Sequence, residues 1–318
     1  MRKLRLVPDV TTFDFMRRRV LFLAISAVLV LLSIGLVVVR GINFGVDFRG
    51  GILIEARTHG PADLGDLRSR LNALGLGEVG LQQFGAPTDV LINFGEQPGG
   101  EKGQLATIDK VKGALGDTVS EYRRIEIVGP KVGAELVRDG IIATALAMAA
   151  IAAYVWFRFE WQFGVSALIS LVHDVVTTLG LFSLFQLEFN LPTLAAVLTI
   201  AGYSINDTVV IFDRVREDLR KYKKMPLTDL LNHAVNGTLS RTVLTGTTVL
   251  LALIALVTFG GEVIRGFSIA MIWGVLAGTY SSFGVAVPLL IYFGLKQGSQ
   301  REASASAAEA TARPTAKP

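Results

Sequence analysis

Apolar residues gather into six long runs along this chain, and the first, residues 20–39, contains no charged side chain. At 1.5 Å of rise per residue, a helix of this length covers the roughly 30 Å hydrocarbon core of a bilayer. Arg17, Arg18 and Arg19 before it would also suit a signal peptide, but a signal's apolar core is shorter, about 7–15 residues, and ends at a small-residue cleavage site. Arg40, Gly41, Ile42 and Asn43 follow instead, so the run reads as a retained anchor. Five further runs, 140–157, 163–185, 191–212, 242–259 and 267–293, bring the expected number of spans to six.

Between the first two spans, residues 40–139 carry charges throughout and no run long enough to cross a membrane. Local periodicity predicts strand 46–56, helix 62–74, strand 79–84, strand 90–94, helix 105–115 and strand 119–128. Leu64, Leu67, Leu71 and Leu74 mark one helix and Leu105, Ile108, Val111 and Leu115 the other, with Gly75 and Gly116 as candidate C-caps. The order βαββαβ predicts a ferredoxin-like sandwich, a fold reused for many tasks that by itself points only to a binding or coupling module. Residues 296–318, rich in Ala, Ser, Thr and Pro without apolar period, are expected to be a disordered tail.

Composition agrees with the pattern: 51% of the 318 residues are hydrophobic and 18% charged, and mean hydropathy is +0.50. There is no cysteine, which excludes disulfides, thiolate metal sites and thiol nucleophiles. The net charge of +4 is not gathered on one soluble face. Basic residues crowd the N-terminal 1–19 and the stretch 213–241, read here as a loop, while 186–191 and 260–266 hold Arg265 alone. By the positive-inside rule both basic segments and both termini are cytoplasmic and the 40–139 domain lies on the far side, as in a multi-pass inner-membrane protein. The basic segments are thus orientation signals with possible lipid contact, and no nucleic-acid partner is expected.

Charged and polar residues inside the spans are costly and tend to mark ion or proton paths. His173 and Asp174 lie near the centre of the third span, and Ser204, Asn206 and Asp207 lie in the fourth. Arg241 opens the fifth span at a depth similar to Asp207, and the connection between these spans is expected to bring the two together. A helix motion that made and broke that contact would make Asp207 take up and release a proton. In the sixth span Gly266, Ala270, Gly274, Gly278, Ser282 and Ala286 recur every four residues, a small-residue stripe that implies a closely packed neighbour.

These residues carry a family resemblance. The segment Ala201-Gly-Tyr-Ser-Ile-Asn-Asp-Thr-Val-Val-Ile-Phe-Asp-Arg-Val-Arg-Glu217 resembles the fourth-span signature of the SecF family of protein-export membrane subunits. Phe44-Gly-Val-Asp-Phe-Arg-Gly-Gly51, Leu171-Val-His-Asp-Val175 and Ser240-Arg-Thr-Val-Leu-Thr245 match the same family in order, over about residues 17–295. The resemblance implies a six-span half of a resistance–nodulation–division (RND) architecture. It also implies pairing with a SecD half, association with the SecYEG channel, and use of the proton-motive force to help an unfolded polypeptide complete translocation. It places the family's key membrane aspartate at Asp207 and its partner arginine at Arg241, with Asp174 the next candidate for the relay; His173, Asn206 and Ser204 are read from their positions as supporting polar residues. Asp47, Gly50 and Gly51 are expected to be structural. No cofactor, bound metal or covalent catalysis is implied, and no phosphate-binding loop of the G-x-x-x-x-G-K-[ST] form is present.

Three other readings are open. An RND-type exporter of lipids or small molecules would share the architecture, though such exporters usually fuse both halves. An intramembrane protease would use Asp174 and Asp207 as a shared-proton dyad or Ser204 as nucleophile, but Asn206 stands where a nucleophile elbow needs its second glycine. A passive assembly scaffold would leave the intramembrane charges without consequence.

Overall fold

The computed structural model describes residues 11–77, 79–83 and 85–295, so the expected tail at 296–318 lies outside the described residues. A short 3-10 turn, Met16–Arg18, leads into α1 (Arg19–Arg40). The other long helices are α5 (Pro130–Arg158), α6 (Trp161–Phe185), α7 (Leu191–Lys221), α8 (Leu227–Phe259) and α9 (Glu262–Ser281). A π-turn, Ser282–Ala286, carries α9 on into α10 (Val287–Tyr292). It falls where Pro288 offers no amide to the carbonyl of Gly284, a common cause of such bulges. Six helices in the described residues are long and apolar enough to span a membrane.

The soluble domain contains α2 (Val46–Arg49), β1 (Gly51–Thr58), α3 (Leu64–Asn72), β2 (Val79–Gln83), β3 (Asp89–Phe94), α4 (Gly100–Leu115) and β4 (Val119–Val128). All strand pairs are antiparallel in the order β2-β3-β1-β4, the ferredoxin-like arrangement. Alternation does the work: Ile52, Ile54 and Ala56 of β1 and Val90, Ile92 and Phe94 of β3 face one way and are buried. Leu67 and Leu71 of α3, with Ile108, Val111 and Leu115 of α4, cover that face.

Two expectations are corrected. The strand expected from residue 46 begins only at Gly51, because Val46–Arg49 forms a helical turn. The chain reverses out of it through Gly50 and Gly51, at φ +74° and +126°. A β-carbon on Gly51 would lie 2.2 Å from the Phe94 carbonyl oxygen, so both conformation and space demand glycine there. The expected basic loop 213–241 is mostly helix: α7 runs to Lys221 and α8 starts at Leu227, leaving residues 222–226 as the connection. Hydropathy falls at 213 because the helices become amphipathic while remaining helical. Phe212, Val215, Leu230, Leu231, Ala234 and Val235 keep an apolar seam and leave the basic residues outside.

The N-terminal segment docks on this helical hairpin. Asn232 Oδ1 accepts from the Met16 amide at 2.9 Å, and Asn236 accepts from the Phe13 amide at 3.0 Å while donating to its carbonyl at 2.8 Å. The N-terminal segment and the α7–α8 connection therefore share one end of the bundle. The soluble domain occupies the other, where Phe44, Phe48, Phe182 and Phe189 pack ring against ring.

Candidate functional site

The site forms where α6, α7 and α9 meet, and the small-residue stripe is what lets them meet. β-carbons built on Gly266, Gly274 and Gly278 would lie 3.1 Å from Thr193 Oγ1, 2.3 Å from Ile200 Cγ1 and 2.9 Å from Ser204 Cβ. The nearest contact of each is to α7, so the implied neighbour is α7, running parallel to α9. Ala270 is fully buried in the same seam, and Ser282 ends it with a 2.9 Å hydrogen bond to Thr208.

Close approach brings three helices' polar groups onto Asp174, which is wholly buried. Its Oδ1 is 2.9 Å from His173 Nδ1, and its Oδ2 accepts from Ser204 of α7 and, at 2.8 Å, from Ser281 of α9. Its carbonyl accepts from Thr178 at 2.7 Å, and Trp273 Nε1 donates to Thr177 at 3.3 Å. Next to this network Tyr280 ties α9 to α1 by donating to the Phe22 carbonyl at 2.8 Å and accepting from Ser26 at 3.0 Å. The other ring nitrogen of His173, Nε2, is buried without a partner.

Asp207 sits one turn beyond Ser204 on α7 and is 4% exposed. Among the described residues its Oδ2 is buried with no hydrogen-bond partner, and it is not one of the groups hydrogen-bonded to the Asp174 carboxyl. Two other buried hydroxyls nearby are equally unmatched: Tyr203, one turn earlier on α7, and Thr242 of α8. Gly246, one turn past Thr242 on α8, packs against α9 and α7; a β-carbon there would stand 3.8 Å from Thr279 Oγ1 and 4.0 Å from the Tyr203 hydroxyl.

The expected meeting of Asp207 and Arg241 does not occur in this structure. Asp207 lies sixteen residues from the start of α7 and Arg241 eighteen from the end of α8. These separations correspond to roughly 24 and 27 Å along the helices, so the depths do agree. The mismatch is rotational: α8 turns Thr242 into the bundle, and Arg241, about 100° around the helix, is exposed without an ion pair among the described residues. Asn206 is likewise exposed and joins no part of the network. Of the sequence-expected residues, the fold thus gathers Asp174, His173 and Ser204, keeps Asp207 adjacent, and leaves Asn206 and Arg241 on the outer surface. Ser281, Thr208, Tyr203 and Thr242 belong to the site and were not anticipated. The phase of the small-residue stripe, which passes through Ser282, was the available signal for Ser281 and Thr208.

Asp47 also has a defined place. Its Oδ2 accepts from the Leu191 amide at 2.8 Å, capping the first turn of the helix that carries Ser204 and Asp207. Among the described residues no three His, Cys, Asp or Glu side chains converge as a metal site would require.

Residues 109–296 match the C-terminal family model of the SecD/SecF protein-export membrane proteins, and residues 35–62 match the SecD/SecF GG motif. The protein translocase subunit SecF of Rickettsia bellii is 47% identical over 297 residues, covering 92% of this chain and 97% of that one. The Rickettsia prowazekii subunit is 46% identical over 293 residues, covering 91% and 94%. The crystal structure of SecDF from Thermus thermophilus, described as a translocon-associated membrane protein, superposes with a TM-score of 0.82 at 34% identity. The match covers 92% of this chain but 40% of that one, so the chain spans about two-fifths of the length of the solved SecDF. A second SecDF structure, in a super-membrane-facing form, gives a TM-score of 0.67 at 33% identity over 96% and 41% of the two chains.

Proposed function

The chain belongs to the SecD/SecF family of protein-export membrane proteins, and from that premise we propose that it is the SecF-like half of a proton-driven machine that helps secreted polypeptides complete their passage through the Sec channel. The observation that carries the reading is Asp207: a carboxyl buried in a membrane helix, its Oδ2 unmatched by any donor among the described residues, one turn from a saturated polar network. At such depth a carboxylate is stable only with a proton, a cation or water upon it, so its state and the packing around it are coupled. Asp174, by contrast, has both oxygens occupied by partners from three helices, which suits a fixed hub that senses how α6, α7 and α9 sit together. Moving one charge through 100 mV supplies about 2.3 kcal/mol, enough to bias two bundle arrangements by roughly fiftyfold. The reading involves no covalent catalysis and no cofactor.

A SecD half is the partner that the outer surface of α7 suits. Ala195, Thr199, Gly202 and Asn206 form an exposed stripe that is small and polar where lipid would favour large apolar side chains. Arg241 is exposed at similar depth on α8, where a second half would supply its counter-charge. The rest of the solved SecDF chain is of a size to hold that half. Orientation follows the basic residues: the N-terminus, the α7–α8 connection and the C-terminus in the cytoplasm, the ferredoxin-like domain outside, next to the emerging polypeptide and the SecYEG channel.

In a strain depleted of the wild-type protein, Asp207→Asn is expected to insert and hold its SecD partner normally while a secreted precursor accumulates unprocessed. Arg241→Ala is expected to behave similarly. Precursor maturation at the wild-type rate with Asp207→Asn would overturn the reading.

A further inference from the structure

The soluble domain meets the membrane bundle at one compact joint, and the joint is built on the end of the helix that carries Asp207. Three kinds of contact converge there. The backbone of residues 43–45 pairs with Phe189, through the Phe189 amide to the Asn43 carbonyl at 2.8 Å and the Gly45 amide to the Phe189 carbonyl at 2.9 Å. Phe44 and Phe48 pack on Phe189 with ring centroids 6.0 and 5.9 Å away. Asp47 caps α7 through the Leu191 amide at 2.8 Å. On the domain side the same turn is locked to β1 by Gly50 and Gly51, and α5 crosses so closely that a β-carbon on Gly133 would lie 2.9 Å from the Phe48 carbonyl oxygen.

We propose that Asp47 is a positioning residue that fastens the soluble domain to the first turn of α7, so that the two move as one body and a shift of α7 is delivered to the domain without slack. The mechanical consequence for export rests on the proton-driven reading above; the fastening itself does not. The contact Asp47 makes with α7 is an acceptor oxygen on the Leu191 amide, so Asp47→Asn, which keeps an acceptor oxygen, should preserve function, whereas Asp47→Ala should lose it.

The absence of cysteine allows a direct mechanical rescue. A β-carbon on Gly45 would lie 3.2 Å from Glu188 Cγ, the place a cysteine sulfur at residue 188 would take, so Gly45→Cys with Glu188→Cys can form a disulfide across the joint. Precursor maturation is measured in membranes containing the full chain and its SecD partner, with both single cysteine variants as controls. Asp47→Ala is expected to reduce maturation at least threefold, the oxidised cysteine pair to restore it, and a reductant to abolish the restoration, with Asp47→Asn near wild type. Asp47→Asn failing as badly as Asp47→Ala would overturn the positioning role, as would no rescue by the disulfide.

A second readout needs no export. Amide hydrogen exchange over the first turn of α7 should rise at least tenfold in Asp47→Ala and return on oxidation of the cysteine pair. Unchanged exchange would refute the joint whatever the export assay shows. Altered exchange, with export indifferent to Asp207, would spare the joint and refute the proton-driven reading.

Discussion

Two aspartates on neighbouring helices have opposite surroundings, and the difference assigns them different work. Asp174 is held by His173, Ser204 and Ser281 and is wholly buried, so its removal strips acceptors from three helices at once. Asp174→Ala should destabilise the purified protein by about 3 kcal/mol or more, because buried donors on three helices lose their acceptor, whereas Ser281→Ala should cost about 1 kcal/mol. Thermal melting in detergent distinguishes them. Asp207 has no such partners to lose, so Asp207→Asn should leave the melting temperature nearly unchanged while disabling transport. In the soluble domain Asp89 behaves differently again. The side-chain hydrogen bond from Arg57, at 2.8 Å, holds the Asp89 carboxyl below its ordinary 3.8, and Arg123 adds to this from 3.0 Å. A depressed carboxylate stabilises the fold fully above its unfolded value, near 3.8, and that contribution is lost as pH falls through the lower folded value. Exchange protection of β1 and β3 in the full chain should therefore decline as pH drops below about 4, and Asp89→Asn should flatten that decline.

At the scale of elements, the seam between α7 and α9 is the feature on which the site depends. Gly274→Ala would push a methyl to 2.3 Å from Ile200, a clash expected to cost about 1–3 kcal/mol, and Ile200→Ala should recover most of it. A double-mutant cycle on melting temperature checks the pairing; additive effects would show that the seam is not shared. Spans, strands and the stripe were legible because each has its own period: long apolar runs for spans, alternation for Ile52, Ile54 and Ala56, four-residue spacing for Gly274 and Gly278. What could not be read is rotation. Hydropathy gives the depth of Arg241 but not the phase of α8, whose membrane stretch is apolar nearly all round, so depth agreement with Asp207 was mistaken for contact. The helical ends of α7 and α8 looked like loop once their outer faces turned polar, with basic residues on α7 and Asn, Thr and Ser on α8. The turn at Val46–Arg49 escaped notice because Val-Asp-Phe-Arg alternates as a strand would, and only the paired glycines after it signalled a reversal.

For the whole molecule, the bundle reads as half of something larger. The outward stripe on α7, with Gly202 and Asn206 at its centre, would suit a partner surface, and among the described residues no packed neighbour of that helix lies within 4 Å of a β-carbon placed on Gly202. Gly202→Leu should thus leave the isolated chain as stable as before while weakening co-purification with the SecD half severalfold; undiminished co-purification would move the interface elsewhere. On the proposed reading, the joint at Asp47 would give this half a route from membrane to soluble domain, and Asp207, beside the polar cluster of α6, α7 and α9, would be the place where a proton changes packing. Both features lie along α7, which on that reading is the helix that would connect charge and motion. The account stands or falls on Asp207. The decisive measurement is maturation of a secreted precursor in cells depleted of the wild-type protein and supplied with either wild type or Asp207→Asn, each with and without a protonophore. Wild-type cells should lose most of their maturation when the protonophore is added, and Asp207→Asn cells should already be at that low level and lose nothing more; an equal protonophore-sensitive component in both would contradict a proton-coupled role for this residue.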